Sequence, residues 1–231
     1  MEISDLAQIQ NLARASNEAL APRFSQEQRS LGGDLFLGKY YEKSPRIFLG
    51  YNPGGQGDYE FKTALCEINF WDEPAPPYHY WCMCKFFVNA APGLHDWLDH
   101  ATVASCSPWR TRGQKEFEQL NTSLGGELYR RSGEIVRMLV DHHEEKFPDE
   151  VVNLIVVGRG SLHLIARHEF LGFDARERNV MDECGADGKF RCLKVQDRPK
   201  RIVYQVPHFS RVEGLPLERC ARWLAGHLLS R

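Results

Sequence analysis

Apolar residues along the chain fall into two kinds of pattern. Short, mostly apolar runs at 47–50, 101–106, 151–157 and 201–206 are too brief for helices and read as buried strands. Between them lie segments whose apolar residues recur every three or four positions, the mark of a helix with one buried face. These predict helices over 3–28 (Leu6, Ile9, Leu12, Ala13), 80–91 (Trp81, Cys84, Phe87, Val88) and 126–147 (Leu128, Ile135, Met138, Leu139). Two more follow, over 161–170, capped by Ser161 and closed by Gly172, and over 215–229. Residues 191–196 suggest an additional strand at the sheet edge. Stretches 56–77 and 174–187 read as loops.

Apolar strands alternating with helices point to a mostly parallel sheet covered on both faces. The expected fold is α/β: a three-layer α/β/α sandwich around a central, mostly parallel four-stranded sheet. It forms a single domain over 1–231 with an N-terminal helix over 3–28. In such a sheet the carboxyl ends of parallel strands share one edge, where open α/β folds bind ligands. Each of the four strands runs at that end into a break: Asn52-Pro53-Gly54-Gly55, Ser107-Pro108-Trp109-Arg110, Gly158-Arg159-Gly160 and Pro207-His208-Phe209-Ser210.

Composition narrows the function classes. With 231 residues, 42% apolar and 26% charged, the chain has the makeup of a soluble globular protein. A net charge of −2 gives no global attraction to nucleic acid, although a local basic face is compatible with it. Arg110, Arg112, Lys115, Arg198, Lys200 and Arg201 are candidates for such a face, or for ordinary solvated surface. The first residues lack the cationic start and apolar core of a signal peptide, and no apolar run approaches the roughly 18 residues a membrane span needs. The seven cysteines include no C-x-x-C pair and read as reduced, mostly buried thiols, which suits a cytoplasmic protein. Cys66, Cys82, Cys84 and Cys106 lack ferredoxin-like spacing. His142-His143-Glu144-Glu145 reads as an exposed helix end, Trp81 and Trp97 as core. Neither a cofactor nor a metal is expected. Gly54-Gly55-Gln56-Gly57 lacks the Lys-Ser/Thr of a phosphate-binding loop, and G-x-S-x-G is absent.

Taken together the strand-end motifs resemble the uracil-DNA glycosylase superfamily. Gly50-Tyr51-Asn52-Pro53-Gly54 resembles the G-x-N-P-G motif of its mismatch-specific and single-strand-selective branches. His208-Phe209-Ser210 resembles the H-P-S motif after the last strand, with Phe209 in place of proline. Ser105–Arg110 and Val156–Gly160 resemble the intervening strand ends, and the likeness spans about residues 44–229.

The resemblance implies excision of uracil or another deaminated or modified base from DNA, after the base is flipped into a pocket. It implies that Asn52 positions the water and that His208 donates to the departing base. Gly50, Tyr51 and Ser107 would line the base pocket, with Tyr59, Phe61 or Phe70 stacking on the base. Ser210, Arg211 and Arg110 would hold phosphate. Phe209 departs from the motif, and an apolar side chain there is expected to wedge into the base stack. The implied partner is damaged or modified DNA, met by a monomer. No asparagine stands at the end of the second strand to read the base edge. A catalytically silent member that binds nucleic acid or a nucleobase is the alternative. An unrelated α/β protein is the third possibility.

Overall fold

The structure is a computed structural model that describes residues 5–34, 43–51, 61–62, 79–174, 179–181, 192–209 and 214–229. In chain order its elements are α1 (Asp5–Leu20), α2 (Gln26–Leu31), β1 (Gly33–Asp34), β2 (Arg46–Gly50), β3 (Phe61–Lys62), α3 (His79–Asn89), α4 (Leu94–Asp99) and β4 (Thr102–Ser105). They continue with α5 (Gln114–Ser123), α6 (Glu127–Lys146), β5 (Val152–Val157), α7 (Arg159–Ile165), β6 (Asn179–Met181), β7 (Cys192–Arg198), β8 (Arg201–Val206) and α8 (Leu215–Leu228).

The main sheet has the order β4-β2-β5-β8-β7-β6. The four strands expected from the sequence, β2, β4, β5 and β8, are mutually parallel. The sheet is six-stranded rather than four-stranded, because β7 returns antiparallel to β8 and β6 pairs antiparallel with β7. The strand expected at 191–196 is therefore an inner strand, and β6 takes the edge from within a stretch read as loop. A separate parallel pair joins β1 to β3.

Two apolar layers sandwich the sheet. Successive strand residues point to opposite faces, so Ile47 and Leu49 join one core while Phe48 joins the other. The first core unites Ile9 and Ala13 of α1, Phe117 and Leu120 of α5 and Ile135 and Leu139 of α6 with Leu154 and Val156 of β5. The second packs Cys84 and Phe87 of α3, Leu94 of α4 and Leu224 of α8 against Ile155, Val157 and Tyr204. Strands buried on both faces need apolar residues at almost every position, which is why β5 and β8 are such plain runs. Trp97 is half-buried in the second layer, with the Arg46 guanidinium 4.4 Å from its ring centroid. The Trp81 side chain lies outside the described residues.

Three expectations about helices change. The expected helix 3–28 is two helices separated by a 3-10 turn over Ala21–Arg23 that contains Pro22. Proline has no N–H to give an interior turn. Ser25 then restarts the chain with a capping box to Gln28. Ser161 does not cap α7: Gly158 is the N-cap, and the Ser161 hydroxyl donates to Val157 O at 2.7 Å. The end of α6 is not simply exposed, because His143 is fully buried. Its ring nitrogens meet Thr102 Oγ1 at 3.0 Å and Leu139 O at 2.8 Å. Positions 128, 132, 135, 136, 139, 140 and 143 of α6 form one buried stripe, and the histidine continues it. Among the described residues no group of three or more His, Cys, Asp or Glu could hold a metal.

The described cysteines 82, 84, 106, 192 and 220 are all free thiols. Cys84 and Cys106 lie in cores on opposite faces of the sheet, which removes a shared iron–sulfur site. No described helix is long and apolar enough to cross a membrane.

Candidate functional site

Among the parallel strands, the chain reverses its direction across the sheet between β4 and β5. From β2 the chain crosses to β4 on one side, then returns to β5 on the other side of β2. Connections leave in opposite directions at such a switch point, opening a crevice beyond the carboxyl ends of the two central strands. Here those ends are Gly50–Tyr51 after β2 and Gly158–Gly160 after β5.

Hydrogen bonds carry the pairing past the strand ends on both sides of the crevice. Cys106 N–H donates to Gly50 O at 2.8 Å and Ser107 N–H donates to Tyr51 O at 3.2 Å. Gly158 N–H donates to Val206 O at 2.8 Å. The segments after β2 and β4, and those after β5 and β8, are thus held in pairs.

Gly158 and Gly160 mark where side chains from elsewhere press on the backbone. Gly158 has φ 87° and ψ 152°, a conformation almost confined to glycine. A β-carbon there would also lie 3.2 Å from His208 Cβ and 3.3 Å from its Cδ2. A β-carbon on Gly160 would lie 2.6 Å from Gln114 Oε1 and 3.5 Å from Tyr51 Cε2. The two glycines are separated by at most about 7 Å of chain. Tyr51, Gln114 and His208, from three different segments, therefore gather over the entry to α7.

Tyr51 is half-buried, with its ring edge-on to Phe117 at 5.5 Å between centroids. Burial pushes its phenol well above the usual tyrosine range; the charges of Tyr129, Glu118 and Cys106 add to this and Arg167 opposes it. Tyr51 is accordingly a neutral hydrogen-bonding aromatic across the physiological range. Gln114 is exposed, and its Nε2 donates to Glu118 Oε1 at 2.8 Å one turn along α5.

Several residues named from the sequence take other places. Phe209 is fully buried, 6.1 Å from Phe48 and 5.1 Å from Phe87 between ring centroids. It anchors the end of β8 in the second core, which corrects the wedge expectation. Ser107 is also fully buried, its hydroxyl accepting from Trp109 N–H at 3.4 Å, so it shapes the turn after β4 rather than facing a ligand. Phe61 belongs to β3 and packs 6.2 Å from the Trp109 ring, so it helps hold that same turn. The Trp109 indole N–H donates to Asn17 of α1 at 3.1 Å, and Arg110 N–H donates to Gly32 O at 3.2 Å. Arg110 is half-buried beside them. Asn52, Tyr59, Phe70, Ser210 and Arg211 lie outside the described residues.

The suggested basic face divides. Arg110, Arg112 and Lys115 sit at the carboxyl edge of the sheet. Arg198, Lys200 and Arg201 sit at the amino end of β8, about 20 Å away along the strand. There Arg201 is buried and its Nη1 donates to Glu144 Oε1 at 3.0 Å, while Arg198 meets the other carboxylate oxygen at 3.4 Å. Lys200 donates to Pro148 O. These three serve the α6–β8 contact rather than the crevice.

Gln114 is the site residue that sequence reasoning missed. The available signal was Gly160, the second glycine of the pair, since a glycine opening a helix often marks close approach by another group. Comparison with protein-family models, curated proteins and solved structures returns no match for this chain.

Proposed function

We propose that this protein is a DNA glycosylase-like enzyme that hydrolyses the N-glycosidic bond of a deaminated or modified base flipped into the switch-point crevice. The observation that carries the reading is the meeting of strand ends there. Tyr51 and His208, which follow strands far apart in the sequence, lie on Gly160 and Gly158 respectively. Asn52 is the next residue after Tyr51.

The groups suit the reaction. Glycosidic cleavage develops negative charge on the leaving base and positive character on the sugar. A neutral imidazole can donate one hydrogen bond to the base as its charge grows. Tyr51 offers an aromatic edge that stays uncharged. Asn52 would align water against the sugar, and Arg110 would approach flanking phosphate from the carboxyl edge.

The test is incision of oligonucleotides carrying uracil, hypoxanthine, xanthine or hydroxymethyluracil, single- and double-stranded, followed by alkali. Strand breaks that disappear in Asn52→Ala and His208→Ala support the enzyme. Selective binding without breaks identifies a silent base reader on the same fold. Absence of both removes the reading.

A further inference from the structure

We infer that the groove between α1 and α6 docks a cationic amphipathic helix of a partner protein. That helix would rest apolar side chains on Leu12 and Met138 and set its lysines or arginines against Asp141 and Glu145. None of these residues belongs to the switch-point crevice, so the inference is independent of the glycosylase reading.

The groove is a trough of about 520 Å³, open to solvent. Leu12 of α1 and Met138 of α6 form its floor, both half-buried and packed on the first core from outside. Glu134, Met138, Asp141 and Glu145 are spaced four, three and four residues apart on α6. They therefore share one helix face about three turns, or roughly 16 Å, long.

Charge on this face is one-sided. Glu134 is paired with Arg130 at 2.6 Å. Arg137 turns away from the groove: its Nη1 donates to the carbonyl oxygens of Glu169 and Phe170, beyond the end of α7. Asp141 and Glu145 are exposed, and neither has a hydrogen bond or ion pair among the described residues. Like charges one turn apart destabilise a helix, and a cation laid between them relieves that repulsion.

The chemistry selects the occupant. Nucleic acid and anionic membrane surfaces are repelled by these carboxylates. An extended peptide would find no backbone partners, because both walls are helices whose N–H and C=O groups bond internally. A helix satisfies its own backbone and docks through side chains alone. Met138, unbranched and adaptable in shape, suits such a contact. A polyamine would meet the carboxylates but carries no branched apolar side chain to fill the floor.

The probe is a fluorescein-labelled peptide of leucine and lysine, about four helical turns long, with its leucines on one face. A second peptide of the same composition scatters the leucines around the helix. Binding to the full chain is read by fluorescence anisotropy. The patterned peptide should bind roughly tenfold or more tightly than the scattered one, and added salt should weaken it. Asp141→Lys and Glu145→Lys should each lower its affinity by about threefold to tenfold. Asp96→Lys, the same charge change on α4 in the other layer, should leave affinity unchanged. Asp141, Glu145 and Asp96 are all exposed, so folding is retained in these variants. Met138→Lys should abolish binding, with its folding checked by urea unfolding. Failure of the patterned peptide to bind, equal affinity for the two peptides, or an Asp96→Lys loss as large as that of Asp141→Lys overturns the inference. So does displacement of the peptide by spermidine at matching concentration, which would mark a polyamine site. Dimerisation of the chain that Asp141→Lys abolishes would give the groove to a second copy and overturn it equally.

Discussion

His208 rests on the backbone of Gly158, so that a β-carbon at position 158 would stand 3.2 Å from the histidine's own Cβ. The carboxyl end of β5 thereby sets where the imidazole after β8 stands. Two independent constraints act on one residue. The φ of 87° and ψ of 152° strain any side chain, and the space is occupied.

Gly158→Ala should therefore lose stability by about 1–3 kcal/mol from backbone strain alone. Displacement of His208 should lower base excision or base binding further than this destabilisation explains. Urea unfolding, with activity measured well below the transition, separates the two. Activity that falls no further than the folded fraction would show that the His208 position does not matter.

Phe209 gives a prediction of opposite kind. It stands one residue from His208 yet belongs to the core, stacked on Phe48 and tilted 43° against Phe87. Phe209→Ala should cost about 3–5 kcal/mol, the usual penalty for emptying a buried aromatic site. The midpoint of urea denaturation should drop accordingly. A conservative Phe209→Leu should recover most of the stability, and DNA affinity of the folded protein should change little. A stable Phe209→Ala protein with weakened DNA binding would return the residue to the surface.

Why some of this was legible and some not follows from where the information resides. β5 and β8 are mostly apolar runs, interrupted only by Asn153, Arg201 and Gln205, because both faces of a parallel strand are covered, and that condition writes itself into local sequence. β6 is three residues long and flanked by charge, so it has no such signature; only its pairing with β7 makes it a strand. Pro22 and the Ser25–Gln28 capping box were visible signals for dividing the first helix. His143 could have been found too, since it sits in register with Leu139 on the buried stripe of α6. Phe209 could not. An aromatic after a strand points to core or solvent according to the helices that cover it, here α3, whose Phe87 receives it. Gln114 is beyond local reading as well, because its contact with Gly160 joins the first turns of α5 and α7.

The buried His143–Thr102 pair joins α6 to β4. Thr102→Val preserves shape and removes the hydroxyl, leaving a buried ring nitrogen without that partner. The expected cost is about 1–3 kcal/mol. Thr102→Ser, which keeps the hydroxyl, should lie much closer to wild type. Equal stability of the valine and serine variants would mean that the hydrogen bond contributes nothing net.

Tyr51 sets the alkaline behaviour. Its folded pKa is raised above the unfolded value of about 10. Between those two values the unfolded chain releases a proton that the folded chain keeps, so the unfolded state binds fewer protons and stability falls as pH rises. The tyrosine's contribution is fully present below about pH 10 and declines above it, by at most about 1.4 kcal/mol per pH unit. The buried thiols of Cys84 and Cys106, also raised by burial, act in the same direction from about pH 8.5. Stability measured by urea unfolding at closely spaced pH values should therefore bend downward in two stages. Tyr51→Phe should reduce the upper stage, to which the Tyr129 phenol, also raised by burial, contributes as well, and leave the lower one. Because the phenol keeps its proton at neutral pH, the same variant should leave the shape of any activity profile between pH 5 and 9 unchanged, even if the rate falls. A shifted profile would mean that Tyr51 exchanges a proton during the reaction, and its place would then be among the proton-transfer groups rather than the walls of the crevice.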